Sequence, residues 1–161
     1  MKTIIDFSEN STISQWKVVN DGVMGGLSKG DFYLDESGNG VFEGKISLEN
    51  NGGFSSVQYA FEQLQINDFS QFVIRVKGDG KPYQFRVKST VSDKHSYIST
   101  FKTTGEWQTI TIAMSSMIPQ FRGEKLPMTN YAGDTLEQVT FLFGNKKEET
   151  FKLEIDTIIM E

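Results

Sequence analysis

Cysteine is absent from this chain, so no disulfide, thiolate zinc site or cysteine nucleophile can form. That is compatible with a reducing compartment. Histidine occurs once, at His95, and catalytic zinc sites draw on several nitrogen or sulfur ligands. No metal or cofactor is therefore expected. Proline occurs three times in 161 residues, too rarely for a proline-rich linker. No apolar run approaches the ~18 residues that span a bilayer. No cationic block stands out either: Lys146-Lys147 runs straight into Glu148-Glu149, and the net charge is −5. Nucleic-acid binding draws its affinity from clustered cations on phosphates, so it is not expected here. Met1–Ile5 opens like a signal peptide, but Asp6, Ser8, Glu9 and Asn10 interrupt it. The expected location is cytoplasmic, and the Asn10-Ser-Thr12 glycosylation pattern is read as chance.

What the chain does have is phenylalanine, glycine and alternation. Thirteen Phe and fifteen Gly accompany frequent Thr and Val. In Gln71–Lys77, Phe72, Ile74 and Val76 share one face while Arg75 and Lys77 share the other. Tyr83–Lys88 repeats the pattern, with Tyr83, Phe85 and Val87 opposite Gln84, Arg86 and Lys88. Period two with one apolar face marks a half-buried strand. The Gly78-Asp-Gly80 link between the two runs reads as a hairpin turn, which would make them neighbours. Further strands are expected at Thr3–Phe7, Lys17–Asn20, Asp31–Leu34, Val41–Leu48, Phe54–Phe61, Ser96–Lys102, Gln108–Met114, Gln138–Phe143 and Phe151–Met160. Leu64–Phe69 or Ala113–Ile118 could form a short helical turn. Many short strands between turn signals define an all-β antiparallel sandwich or barrel. No repeat or linker divides the chain, so residues 1–161 form one domain.

The chemical candidates fall away in turn. Asp93-Lys-His-Ser96 holds the letters of a hydrolytic triad, but sequence neighbours on a strand point to opposite faces. Asp35-Glu-Ser-Gly-Asn-Gly40 begins like a calcium loop, yet its twelfth position is Ile46 instead of glutamate. That excludes an EF-hand and leaves open a weaker calcium site bracing the sandwich. Gly25-Gly-Leu-Ser-Lys-Gly30 lacks the phosphate-loop spacing. Nothing selects two of the 21 carboxylates as an acid/base pair. The expectation is a protein that is not an enzyme.

Two glycine pairs remain, Gly25-Gly26 and Gly52-Gly53, set among Trp16, Asp21, Met24, Asn50 and Asn51. Glycine there implies unusual backbone angles or a close backbone approach. The two loops are expected to pack together. With Arg86, these residues form the candidate binding surface: Met24 supplies an adaptable apolar contact, and the amides and carboxylate orient a partner. Asp21 and Asn50 could equally cap their own turns. A cationic strip of Arg75, Arg86 and Lys88 on the polar strand faces is the second candidate.

Together these segments resemble the family of the mitochondrial complex I intermediate-associated protein of thirty kilodaltons. The matching block is Asp21-Gly-Val-Met-Gly-Gly-Leu-Ser28 followed by Val41–Val57. Arg75–Tyr83, Ile118-Pro119 with Phe121-Arg-Gly123, and Phe151–Ile155 extend it. Thr150 stands where the family pattern has glycine. The resemblance implies a jelly-roll β-sandwich similar to galactose-binding and carbohydrate-binding modules. It also implies a protein-binding assembly factor or chaperone. The alternative is a small-ligand module, for carbohydrate, with Trp16 as platform and Asp21, Asn50, Asn51 and Arg86 for the hydroxyls.

Overall fold

The computed structural model describes the backbone of residues 1–161 and every side chain except those of Val23, Met24 and Asn51. Thirteen strands form: β1 Lys2–Asp6, β2 Trp16–Asn20, β3 Lys29–Leu34, β4 Gly40–Lys45, β5 Ser55–Gln65, β6 Gln71–Lys77, β7 Pro82–Lys88, β8 Ser96–Lys102, β9 Trp107–Ala113, β10 Ile118–Phe121, β11 Glu124–Lys125, β12 Thr135–Phe143 and β13 Thr150–Met160. They build two antiparallel sheets. One holds six strands in the order β3-β4-β13-β6-β9, with β1 also on β13. The other holds seven, in the order β11-β10-β8-β7-β12-β5-β2. The chain crosses repeatedly between the sheets, and the result is a jelly-roll sandwich.

The long strand β13 organises the six-stranded sheet. Its first half pairs with β4 and its second half with β1, while β6 runs along the other side. Phe151, Leu153, Ile155, Ile158 and Met160 of β13 are buried against the facing sheet. From that sheet Tyr83, Phe85, Val87, Val139, Phe141 and Phe143 fill the other half of the core. Phe72 meets Phe85 edge-on, with ring centroids 5.3 Å apart, which ties the sheets together.

Alternation predicts these faces correctly, but it misassigns one pairing. β6 lies in the six-stranded sheet and β7 in the seven-stranded one, so Gly78–Lys81 is an arch between sheets and not a hairpin. Two strands that point their apolar faces into one core from opposite sides have the same pattern as two neighbours. Gly78 is required for close approach: a Cβ there would lie 2.3 Å from Thr103 Cβ. Thr103 Oγ1 then fastens the arch, accepting from Gly80 N at 3.0 Å and donating to Lys81 O at 2.8 Å. Arg75 therefore sits on the opposite outer face from Arg86 and Lys88. The expected three-residue cationic strip does not exist.

Smaller differences follow from local chemistry. β4 stops at Lys45, and Ser47–Leu48 belong to the next loop. The helical turn forms at Met114–Ser116, within Ala113–Ile118, whereas Leu64–Gln65 extend β5. The Asp35 carboxylate is used by its own turn, accepting from Ser37 N at 2.9 Å and Asn39 N at 3.0 Å. Among the described residues no group of three or more His, Asp or Glu could hold a metal ion. No helix among them is long and apolar enough to cross a membrane.

Candidate functional site

The two glycine-pair loops emerge side by side at one end of the sandwich. β2 ends at Asn20 and leads into a 3₁₀ turn, Asp21–Met24. Gly25 closes that turn at φ 88°, donating to Gly22 O at 3.0 Å. The second loop follows β4. It makes a 3₁₀ turn at Glu49–Asn51, with Asn50 at φ 55°. Gly53 then takes φ 143° before β5 begins. Gly25 and Gly53 hold angles that other residues adopt only under strain.

Asp21 joins the loops. It is completely buried. Its Oδ1 accepts from Ser28 N at 3.0 Å. Its Oδ2 accepts from Gly53 N at 2.6 Å and Phe54 N at 3.3 Å. Its own N–H donates to Phe54 O at 3.2 Å. Burial pushes the carboxyl pKa up, but the bonds from Ser28, Gly53 and Phe54 outweigh this and hold it below its ordinary value. The other glycine of each pair makes room for this carboxylate. A Cβ on Gly26 would lie 2.4 Å from Asp21 Cγ, and one on Gly52 would lie 2.6 Å from Asp21 Oδ2. A second clasp forms where Ser47 N donates to Ser28 Oγ at 2.9 Å and Ser28 Oγ donates back to Ser47 O at 3.2 Å.

The clasp leaves its two flanking leucines in solvent. Leu27 is 52% exposed and Leu48 is 41% exposed. Neither was singled out from the sequence. The signal that could have found them is the mirrored pair Leu27-Ser28 and Ser47-Leu48, in which the Ser28 side chain meets the Ser47 backbone and each leucine turns outward.

The expected site residues therefore fall into three places. Asp21, Gly25, Gly26, Asn50, Gly52 and Gly53 belong to the joined loops, and Asn50 is exposed at the second turn. Met24 and Asn51 lie in the same turns, but their side chains are outside the described residues. Trp16 is in the core at 8% exposure, stacked on Phe32 at 4.9 Å and Tyr59 at 5.0 Å. A ring so placed packs the interior and offers no open platform. Arg86 stands apart in the middle of β7, on the outer face of the seven-stranded sheet.

No nucleophile–base pair accompanies these features among the described residues. His95 Nε2 lies 3.3 Å from Tyr97 Oη and meets no serine or carboxylate. A cleft of about 630 Å³ is lined by Lys29, Asp31, Glu43, Lys45, Asp79 and Lys81 beside the joined loops. Its lysines and carboxylates already neutralise one another in part, with Lys81 Nζ 3.6 Å from Asp79 and 3.8 Å from Glu149.

This architecture is a jelly-roll β-sandwich similar in fold to carbohydrate-binding modules. A family 11 carbohydrate-binding module from Clostridium thermocellum, solved with a β-1,3-1,4-mixed-linked tetrasaccharide, superposes with a TM-score of 0.71. It is 16% identical, and the match covers 99% of this chain and 94% of that one. A structure described as "CBM4 structure and function" matches at TM-score 0.54 and 14% identity, over 99% and 95% of the two chains. An exo-β-agarase matches at TM-score 0.62 and 9% identity, over 100% of this chain but 25% of its own. Identities this low establish the fold alone. The sequence itself matches the family profile "Complex I intermediate-associated protein 30 (CIA30)" over residues 5–155, and the chain belongs to that family. No curated protein sequence matches it.

Proposed function

We propose that this protein is a non-catalytic binding domain that docks another protein through the joined glycine loops, in the manner of an assembly factor or chaperone. The observation that carries this reading is the pair Leu27 and Leu48. Two large apolar side chains stand in solvent on a base held rigid by a buried carboxylate and a serine clasp. A rigid base lowers the ordering cost of binding, and leucines there desolvate readily against a partner. The family name, with its reference to association with a complex I intermediate, points the same way.

The test is capture and then affinity. The tagged protein is purified from its native cell, its partner is identified by cross-linking and mass spectrometry, and the purified pair is titrated by calorimetry. Cross-links should fall on the two loops. The double variant Leu27→Ser, Leu48→Ser should bind at least roughly tenfold more weakly at an unchanged melting temperature.

A carbohydrate module is the second reading. It draws on the fold and on Arg86, which stands with Gln84, Gln58 and Thr140 on an open sheet face. Sugar sites of this kind use an aromatic platform, and the outward-facing positions of the paired strands β2, β5, β7, β8, β10 and β12 carry no aromatic residue. That favours the protein partner.

A further inference from the structure

The outer face of the seven-stranded sheet holds a cation that no carboxylate pairs with among the described residues. In the pairing register Arg86 stands opposite Ile98 on β8 and Thr140 on β12, and Thr140 stands opposite Gln58 on β5. These side chains alternate away from the core, and no third layer covers them. Even so, Ile98 and Thr140 are each 5% exposed, and Ser56 is 3% exposed. Short side chains sheltered among longer ones make a recessed floor.

Arg86 crosses that floor without a carboxylate partner among the described residues. Its Nε donates to the neutral Gln84 Oε1 at 2.8 Å. Lys88 gives its ammonium to a backbone carbonyl, Asp93 O, at 2.7 Å. The contrast is Arg75 on the opposite sheet, which pairs with Asp156 at 3.1 Å and lies over the Trp107 ring at 5.0 Å. Burial alone pushes the Arg86 pKa down to about 10. Burial also lowers that of Lys88, with Asp93 opposing. Both cations are partly stripped of water, and for Arg86 no anion compensates. A desolvated charge without a partner is unfavourable, and a ligand that supplies one relieves it.

We infer that this face binds an acidic polypeptide segment, one carboxylate taking the guanidinium of Arg86 in a two-point grip and a second reaching Lys88. This rests on the protein-binding reading above and names the chemistry of the partner. The fork of Arg86 matches a carboxylate in geometry as well as charge. Ile118, opposite Ile98 in the register and only partly buried, suits the methylenes of glutamate, and the outward positions of these paired strands carry no ring on which a sugar could stack.

The test is a titration of the isotope-labelled full chain by NMR with acetyl-pentaglutamate amide. Pentaglutamine and trigalacturonate serve as the other two arms. Pentaglutamate should shift the Arg86 Nε–H, Thr140 and Gln58 resonances saturably, while pentaglutamine should not. Arg86→Gln should weaken binding at least tenfold, and Arg86→Lys should weaken it less. The wild-type comparison of glutamate with glutamine stands even if a variant fails to fold. Absence of shifts at Arg86, equal shifts from pentaglutamine, or unchanged affinity in Arg86→Gln would overturn the inference. Tighter binding of trigalacturonate would also overturn it, in favour of an acidic sugar. The titration needs no captured partner, so its failure is distinct from failure of the loop surface.

Discussion

Gly53 donates its backbone N–H to the Asp21 carboxylate at 2.6 Å, across 32 residues of chain. That contact makes two loops into one surface. The glycine pairs serve it in two ways: Gly25 and Gly53 supply left-handed backbone angles, and Gly26 and Gly52 leave space for the carboxylate.

Asp21→Asn is expected to destabilise the fold severely for so small a change. The carboxylate accepts three backbone N–H groups, and an amide would turn its own NH₂ group toward at least one of them. Leaving a buried donor unpaired costs about 1–3 kcal/mol. For a domain of this size that is a fall of roughly 2–10 °C in Tm. An unchanged Tm would mean the carboxylate does not hold the loops.

The loop glycines should respond differently to alanine. Gly26→Ala and Gly52→Ala drive a methyl group into Asp21 and should each cost about 1–3 kcal/mol through overpacking. Gly25→Ala meets nothing within 4 Å but must hold φ 88°, a strain of about 1 kcal/mol. Gly22→Ala, equally open and at ordinary φ, should leave stability nearly unchanged. Thermal melts of the series separate space from backbone angle.

Asp21 also predicts an acid sensitivity. Its pKa is lowered on folding, so its contribution is fully present above the unfolded value, near 3.8. It is lost as pH falls through the lower folded value. Melts taken from neutral pH to well below 3.8 should show the wild-type advantage over Asp21→Asn shrinking as acid is added. A constant gap would show that the bonds do not depend on the charge.

Tyr83 is a third test of buried polar structure. Its hydroxyl donates to Asp79 Oδ1 at 2.9 Å and accepts from Lys152 N at 3.1 Å, joining the arch to β13. Burial raises its pKa first, and Asp79 raises it further. Tyr83→Phe leaves the Lys152 N–H with its bond to Asp79 Oδ2 at 2.9 Å, so the loss should be modest, about 1 kcal/mol. Chemical denaturation measures it.

Much of this was legible in the sequence. Period-two alternation fixed which residues of Gln71–Lys77 and Tyr83–Lys88 face inward, because burial on one side leaves no other register. The glycine pairs marked the loops. Alternation carries no record of which sheet a strand joins, so Gly78-Asp-Gly80 has the look of a hairpin turn and Arg75 that of a neighbour of Arg86. Trp16 shows the same limit from another side: a tryptophan near a polar loop in sequence reads alike whether it lines a site or, as here, stacks between Phe32 and Tyr59 in the core. Leu27 and Leu48 were passed over because isolated apolar residues in loops are common. The clasp between Ser28 and Ser47, which joins the segments that carry them, is a contact between loops distant in sequence.

The central claim is that the joined loops are a protein-docking surface. The most direct test is the calorimetric affinity of the cross-linked partner for wild type and for Leu27→Ser, Leu48→Ser, with Tm measured alongside. The account predicts a loss of at least roughly tenfold at constant Tm. Equal affinity for the two proteins would contradict it.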